Sequence, residues 1–210
     1  MRTVAIIQAR MGSTRFPGKV MAMLAGKTVI QRVIERAERL NVDDIVVATT
    51  DREEDHVLIE RPKDGALRFA WNGDPNDVLG RYVACAKDRR ADRIVRITAD
   101  CPLLDPDVGN RIIEALTPNV DYASNVIERR YPKGWDVEAL WSDVLFRLDR
   151  MTLPRGDREH VTRYIRRNLD LFITADVGPI PPDPSPLNYC VDYPEDIARL
   201  ERDAADLLAQ

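Results

Sequence analysis

From Thr3 to Thr98 the sequence alternates short, β-branched apolar runs with amphipathic stretches of helical period, and no other feature constrains the fold as tightly. Thr3 to Ala9 is almost uninterrupted in apolar residues, the pattern of a central strand buried on both faces. Thr28 is placed to cap a helix whose apolar positions Val29, Ile30, Val33, Ile34, Ala37 and Leu40 fall on one stripe. Asp44 to Thr49 then predicts a strand, Asp51 through Glu60 a short acidic helix, and Leu67 to Trp71 another strand. An amphipathic helix over Asp77 to Arg89 and a strand over Arg93 to Thr98 continue the series. Such alternation implies a mostly parallel sheet with right-handed crossovers and helices on both faces, a Rossmann-like α/β fold.

After Asn119 the pattern loosens. Strands are predicted at Val120 to Ser124, Val137 to Trp141 and Leu171 to Ala175. Helices are predicted near Ser142 to Met151, Asp157 to Asn168 and Pro194 to Leu208. The Pro-rich stretch Pro179 to Pro186 suits neither a helix nor a central strand and reads as a surface connection leading into Asn188 to Val191. At 210 residues this half reads as a continuation, giving one domain over 1–210 with a less regular part at about 120–180.

Charge and cysteine content then narrow the function classes. A formal charge of −4 disfavours broad electrostatic binding to nucleic acid, so an anionic ligand needs a local basic pocket. The apolar run Val4 to Ile7 is too short for a membrane span or signal peptide. Three cysteines without a CxxC pair, and only two histidines, argue against a disulfide scaffold or a zinc site, and a reducing cytoplasm fits best.

The basic pocket has a candidate in the turn leaving the first strand. Gln8-Ala9-Arg10-Met11-Gly12-Ser13-Thr14-Arg15-Phe16-Pro17-Gly18-Lys19 combines three cations, two hydroxyls and two glycines. Glycines let backbone N–H groups approach phosphates, hydroxyls donate further bonds, and Arg and Lys neutralise the charge that grows on a leaving pyrophosphate. In an open α/β sheet, ligands sit at the carboxyl ends of strands, where this loop lies. It matches neither the Walker A loop nor the dinucleotide GxGxxG pattern.

Asp100 stands just past the strand Arg93 to Thr98, at the same sheet edge, where a carboxylate can hold Mg²⁺ against triphosphate oxygens. Asp192, ahead of Tyr193-Pro194-Glu195, reads either as a cap for the last helix or as a ligand-facing carboxylate. Lys133-Gly134-Trp135-Asp136-Val137-Glu138 is either an ordinary turn into a strand or a cluster suited to sugar hydroxyls. Arg158, Glu159 and His160 open a helix. Glu159 suits its dipole, Arg158 can reach an acidic substrate, and His160 alone carries no catalytic assignment.

The run ARMGSTRFPGK resembles the signature loop of the CMP-sugar synthetase family, the acylneuraminate and CMP-KDO cytidylyltransferases. The wording is closest to the branch of spore-coat polysaccharide and flagellin-modification cytidylyltransferases. Further matches follow in order: Asp77-Val78-Leu79 with Arg81-Tyr82, Arg96 to Leu103, Tyr131 to Glu138, Arg158 to Thr162, and Val191 to Asp196. Where relatives commonly have Arg before the glycine of Gly73 to Asp77, this chain has Asn72.

The resemblance implies a three-layer nucleotide-diphospho-sugar transferase fold with a mixed, mostly parallel sheet, and a cytidylyltransferase moving CMP from CTP to an acidic or activated sugar. It implies Arg10, Arg15, Lys19 and Asp100 as catalytic groups, and Gln8, Ala9, Arg10, Met11, Gly12, Ser13, Arg15 and Lys19 around the nucleotide, with the base read near Gln8 and Ala9. It pairs Asp192 with Asp100 as Mg²⁺ ligands and brings Lys133, Asp136, Glu138, Arg158 and His160 to the acceptor. It further implies homodimerisation through the region after Asn119.

Rival readings are a metal-dependent GT-A-like glycosyltransferase, a non-catalytic nucleotide-binding relative, or a nucleotidyltransferase acting on a phosphorylated alcohol. The letters of a glycosyltransferase DxD occur at Asp105-Pro106-Asp107, but Pro106 makes this a helix start.

Overall fold

In a computed structural model, which describes residues 1–60, 65–179 and 185–209, the chain begins with β1 (Thr3–Gln8) and a hairpin of β2 (Met23–Leu24) and β3 (Lys27–Thr28). It continues through α1 (Val29–Ala37), β4 (Asp44–Thr50), the single turn α2 (His56–Ile59), β5 (Leu67–Trp71), α3 (Val78–Arg89), β6 (Arg93–Thr98) and α4 (Pro106–Ala115). The remainder comprises β7 (Tyr122–Ser124), β8 (Glu138–Trp141), α5 (Ser142–Asp149), α6 (Arg155–Glu159), α7 (Arg163–Arg167), β9 (Thr174–Asp176), α8 (Glu195–Asp203) and α9 (Ala205–Leu208).

Seven strands form one sheet in the order β5-β4-β1-β6-β8-β7-β9. Only β8 runs against its neighbours, pairing antiparallel with both β6 and β7, so the sheet is mixed and mostly parallel as expected. The period-2 alternation of β1 divides the core. Ala5 and Ile7 pack with the apolar face of α1 and with α4, whereas Val4 and Ile6 pack on the other face with α3 and α5. Helices thus cover both faces. The predicted α1 stripe is buried from Val29 to Leu40, and Thr28 caps it in a reciprocal box with Gln31.

The chain leaves β1 toward β4 on one side and later enters β6 on the other. This reversal makes the carboxyl ends of β1 and β6 a topological switch point, with Gln8 and Thr98 opposite each other.

Three predicted helices are corrected. Asp51 through Glu60 is a 3₁₀ turn at Glu53–Asp55 followed by α2, because Asp55 is drawn inward to accept from Thr50 and from the backbone of Met11. Asp157 to Asn168 breaks into α6 and α7 at Val161, whose φ is 52°, where Thr162 donates to buried Glu138. Pro194 to Leu208 divides at Ala204, which is buried against Leu200 and Leu208. Residues 180–184 of the predicted Pro-rich connection lie outside the described residues. Among the described residues no helix is long and apolar enough to cross a membrane.

Candidate functional site

Three separate segments converge on the switch point. The turn after β1 folds back through bonds from the backbone N–H groups of Ser13 and Gly18 to the carbonyl of Met11, 2.8 and 2.9 Å. Gly18 takes φ 72°, a left-handed conformation natural to glycine, and turns the chain into the 3₁₀ turn that carries Lys19. The segment after β6 brings Asp100. The third segment, 188–192, is fixed by a bond from the Val191 N–H to the Asp100 carbonyl, 2.9 Å, and by Asp196, whose carboxylate accepts from the N–H groups of Asp192 and Tyr193.

Lys19 joins the three. Its ammonium donates to Asp100 Oδ2 at 2.6 Å, to the Val191 carbonyl at 2.8 Å and to Asp192 Oδ1 at 3.3 Å. Burial works against the charge of Lys19, but Asp100 and then Asp192 outweigh it and hold the ammonium above the ordinary lysine pKa. Burial likewise opposes ionisation of Asp192, and the hydrogen bond from Lys133 with the charge of Lys19 holds its carboxyl below the usual range. Arg15 approaches the same carboxylate at 2.7 Å and lies over the ring of Tyr193. Asp192 is therefore no helix cap in this arrangement; the backbone bonds at the start of α8 belong to Asp196.

Around these groups lies a cavity of about 440 Å³. Its wall includes Gln8, Ala9, Arg10, Ser13, Arg15, Lys19 and Asp100 of the predicted set, together with Lys133, Asp136, His160 and Asp192. The turn at Gly134 seats Lys133 and Asp136 there. Gly134 has φ 102°, and a Cβ would stand 2.8 Å from the Tyr189 carbonyl carbon, so only glycine lets this turn meet segment 188–190. The Lys133 N–H donates to Leu187, and the Tyr189 N–H donates back to Lys133, at 3.0 and 2.6 Å.

Four predicted residues are not on this wall. Met11 packs against the core, and its N–H is bound to Asp55 at 2.6 Å. Gly12 faces a smaller hollow of about 150 Å³ beside Arg52 and Asn76. Arg158 does not reach the cavity, because its guanidinium forks onto Asp77, the cap of α3, at 2.9 and 2.8 Å, and also binds Asp149. Glu138 is buried and its carboxylate is fully engaged by Arg96, Tyr122 and Thr162, so acceptor contact by this group is withdrawn.

Sequence reasoning assigns no site role to other wall residues: Val20, Arg96, Thr98, Ala99, Cys101 and Cys190. Period-2 alternation was the available signal for Arg96 and Thr98, two residues apart on one face of β6. Nothing in the sequence brings Cys190 within 3.6 Å of Cys101, 89 positions away. Asn76 was missed as well, and accepts from Arg10 at 3.1 Å.

The donor chemistry suits a hard divalent cation. Oxygens of Asp100 and Asp192 already converge on one cation, Lys19, while the thiol of neighbouring Cys101 is pushed well above its usual pKa by its contact with Cys190 and by burial. Among the described residues no cluster of three or more His, Cys, Asp or Glu could hold a metal. Two carboxylates supply part of a shell, the arrangement used by Mg²⁺ or Mn²⁺ that shares phosphate oxygens with a substrate. The Asp105 carboxylate accepts from the N–H groups of Asp107 and Val108 and caps α4, with Pro106 in its first turn, so the DxD letters mark a helix start.

A family model described as cytidylyltransferase matches residues 4–200. The spore coat polysaccharide biosynthesis protein SpsF of Bacillus subtilis is 32% identical over 174 residues, covering 80% of this chain and 71% of that protein. The 3-deoxy-manno-octulosonate cytidylyltransferase of Trichlorobacter lovleyi is 38% identical over 131 residues, 62% of this chain and 51% of that enzyme. Among solved structures, a cytidylyltransferase from Leptospira borgpetersenii aligns with TM-score 0.87 and 27% identity over 99% of this chain and 96% of that one.

Proposed function

Because the chain belongs to the cytidylyltransferase family, we propose that it transfers CMP from CTP to an acidic or otherwise activated sugar, releasing pyrophosphate, for polysaccharide or glycoconjugate assembly. The observation that carries this reading is the Lys19 ammonium held between Asp100 and Asp192 beneath the Arg10 to Lys19 turn. Cations and paired carboxylates on one wall suit a polyphosphate with its counter-cation, and no protein nucleophile is needed for such transfer.

Arg15 and Lys19 take up the negative charge of the departing pyrophosphate, with Arg10 and the Ser13 hydroxyl nearer the rest of the nucleotide. When CTP binds, Lys19 exchanges carboxylate partners for phosphate oxygens, which frees Asp100 and Asp192. These two residues would hold Mg²⁺, which when bound would neutralise phosphate charge and polarise the α-phosphoryl group. Lys133, whose ammonium reaches Asp192, and Asp136 orient the acceptor, with His160 on the same cleft wall. The names of the spore-coat and octulosonate relatives support a sugar acceptor, and the ammonium of Lys133 supports an acidic one.

Residues 120–180 form the acceptor and dimerisation part of a single domain, and the enzyme acts in the cytoplasm as a homodimer. The test is a pyrophosphate-release screen that crosses four nucleoside triphosphates with a panel of acidic sugars, with and without Mg²⁺. Release with CTP, one sugar class and metal is expected; no release with CTP and any sugar sinks the reading.

A further inference from the structure

Asp55 stands at the entry to α2, where an aspartate ordinarily turns back to cap its own helix, yet its side chain makes no cap bond there. It is buried instead, 2% exposed. One carboxylate oxygen accepts from the Met11 N–H at 2.6 Å, and the other accepts from the Thr50 hydroxyl at the end of β4. A buried carboxylate is costly unless its hydrogen bonds offset the lost hydration, and the single turn of α2 gives no reason for that cost.

The residue that Asp55 holds is the pivot of the turn after β1. The Met11 carbonyl accepts from the N–H groups of Ser13 and Gly18, so Met11 is fixed at its N–H by Asp55 and at its carbonyl by both limbs of the turn. Its side chain packs against the core. Ser13, Arg15 and Lys19, which face the cleft, all lie beyond this pivot. The far end of the turn is held by Lys19, whose partners Asp100 and Asp192 stand on the cleft wall and are open to exchange with a ligand. Asp55 is not on that wall, so a ligand in the cleft leaves its bonds in place.

We infer that Asp55 is a positioning residue for phosphate capture: through Met11 it keeps the turn up to Lys19 in its receiving shape while Lys19 changes partners, without itself touching the nucleotide. The assignment rests on the cytidylyl-transfer reading above and deepens it. The effect is preorganisation. A turn ordered before the ligand arrives loses little conformational entropy on binding, whereas a turn released from its anchor has to be ordered at the expense of affinity. A carboxylate suits the task, because hydrogen bonds to an ionised acceptor are roughly twice as strong as those between neutral groups. Arg15 and Lys19 receive the pyrophosphate half of CTP in the reading above, so releasing the anchor costs the β- and γ-phosphates more than it costs CMP.

The test uses Asp55→Ala, Asp55→Asn and Thr50→Val, with calorimetry against CTP, CMP and inorganic tripolyphosphate and thermal melting of the unliganded proteins. Asp55→Ala is expected to weaken CTP and tripolyphosphate at least about tenfold and CMP no more than about threefold, so that the ratio of CTP to CMP affinity falls. A generally loosened fold would lower all three together and leave the ratio where it was. Asp55→Asn keeps an oxygen for the Met11 N–H and offers its amide to the Thr50 hydroxyl, and is expected to restore most of the ratio. Thr50→Val keeps the Met11 bond but removes the second tether of the carboxylate, and is expected to lower the ratio about threefold. It carries the test by itself should Asp55→Ala not fold.

A wild-type ratio in folded Asp55→Ala, or in Thr50→Val where Asp55→Ala does not fold, overturns the assignment and leaves cytidylyl transfer standing. Equal losses of CTP, CMP and tripolyphosphate with a lower melting temperature make Asp55 a part of the general fold and also overturn it. A ratio in Asp55→Asn as low as in Asp55→Ala does the same, because the bond to Met11 would then not be what matters. Wild-type protein that binds neither CTP nor tripolyphosphate takes down the underlying reading and this one with it.

Discussion

Two groups of opposed charges meet the same cleft and behave differently. Lys19, Asp100 and Asp192 form one; Arg96 and Glu138 form the other. In the first, one ammonium serves two carboxylates from distant segments, and Asp192 is also approached by Arg15 and Lys133. Every partner there can exchange for a ligand oxygen. In the second, Glu138 is enclosed by Arg96 of β6, Tyr122 of β7 and Thr162 at the break between α6 and α7. Its bonds tie three parts of the fold together, and none is free to leave. The first group's partners are thus open to exchange with a ligand, whereas the Glu138 carboxylate is fully engaged within the scaffold, although the Arg96 Nε beside it has no partner.

The sharpest way to break this contrast is Asp100→Asn. If the first group is machinery, pyrophosphate release at saturating Mg²⁺ falls by about a thousandfold while the melting temperature hardly moves. Near-wild-type turnover would place Asp100 with the scaffold.

Glu138→Gln makes the opposite statement. Removing one charge of a sealed pair leaves Arg96 uncompensated, and a loss of about 3 kcal/mol in denaturant unfolding is expected, with turnover of the folded fraction largely kept. The pH dependence follows from the same pair. Burial is the largest influence and would raise the Glu138 pKa, but Arg96 and Arg166 with the hydrogen bonds from Thr162 and Tyr122 together outweigh it and lower the folded value. A depressed folded pKa contributes stability above the unfolded pKa of about 4.3, and that contribution disappears as pH falls through the folded value. The stability gap between wild type and Glu138→Gln should therefore be full at neutral pH and shrink below about pH 4. A gap independent of pH would show that the charge of Glu138 is not what matters.

The contrast also marks where the sequence was legible. The turn after β1, the Thr28 cap and the α1 stripe could be read because their physics is local: residue type, spacing and period decide them. Asp100 was legible for the same reason, as a carboxylate one step past a strand end. The role of Glu138 was not, because its partners are 42, 16 and 24 positions away and meet only when β8 inserts antiparallel between β6 and β7. The break at Val161 was hidden with it, since helical propensity favours continuity and a tertiary bond from Thr162 decides otherwise. Arg158 read as an acceptor ligand for want of any signal that Asp77 and Asp149 would claim it. Helical period predicted α3 but could not reveal that the Nε and Nη1 of buried Arg81 lack a hydrogen-bond partner.

A smaller effect is expected at Lys19→Met. The substitution removes the cation that faces both carboxylates, so CTP turnover should fall about a hundredfold, chiefly through phosphate charge left uncompensated. High Mg²⁺ should restore part of the loss, because the metal and Lys19 neutralise the same oxygens. A complete absence of rescue would mean that Lys19 positions the turn after β1 instead of sharing its charge with ligands.

Lys133→Ala sharpens the comparison at its weakest member. Lys133 binds Asp192 at 3.0 Å, but its side chain is 46% exposed and Lys19 and Arg15 also approach the same carboxylate. Water and those cations take over most of its compensation, so the cost to nucleotide binding should be no more than about 1 kcal/mol, roughly fivefold. The acceptor depends on Lys133 differently. If its ammonium also meets the acid group of the sugar, KM for the sugar should rise more than KM for CTP, and the ratio of the two changes is the measurement that decides. Equal changes would leave Lys133 as a partner of Asp192 alone, and the open character of the first group would then rest on Lys19 and Arg15.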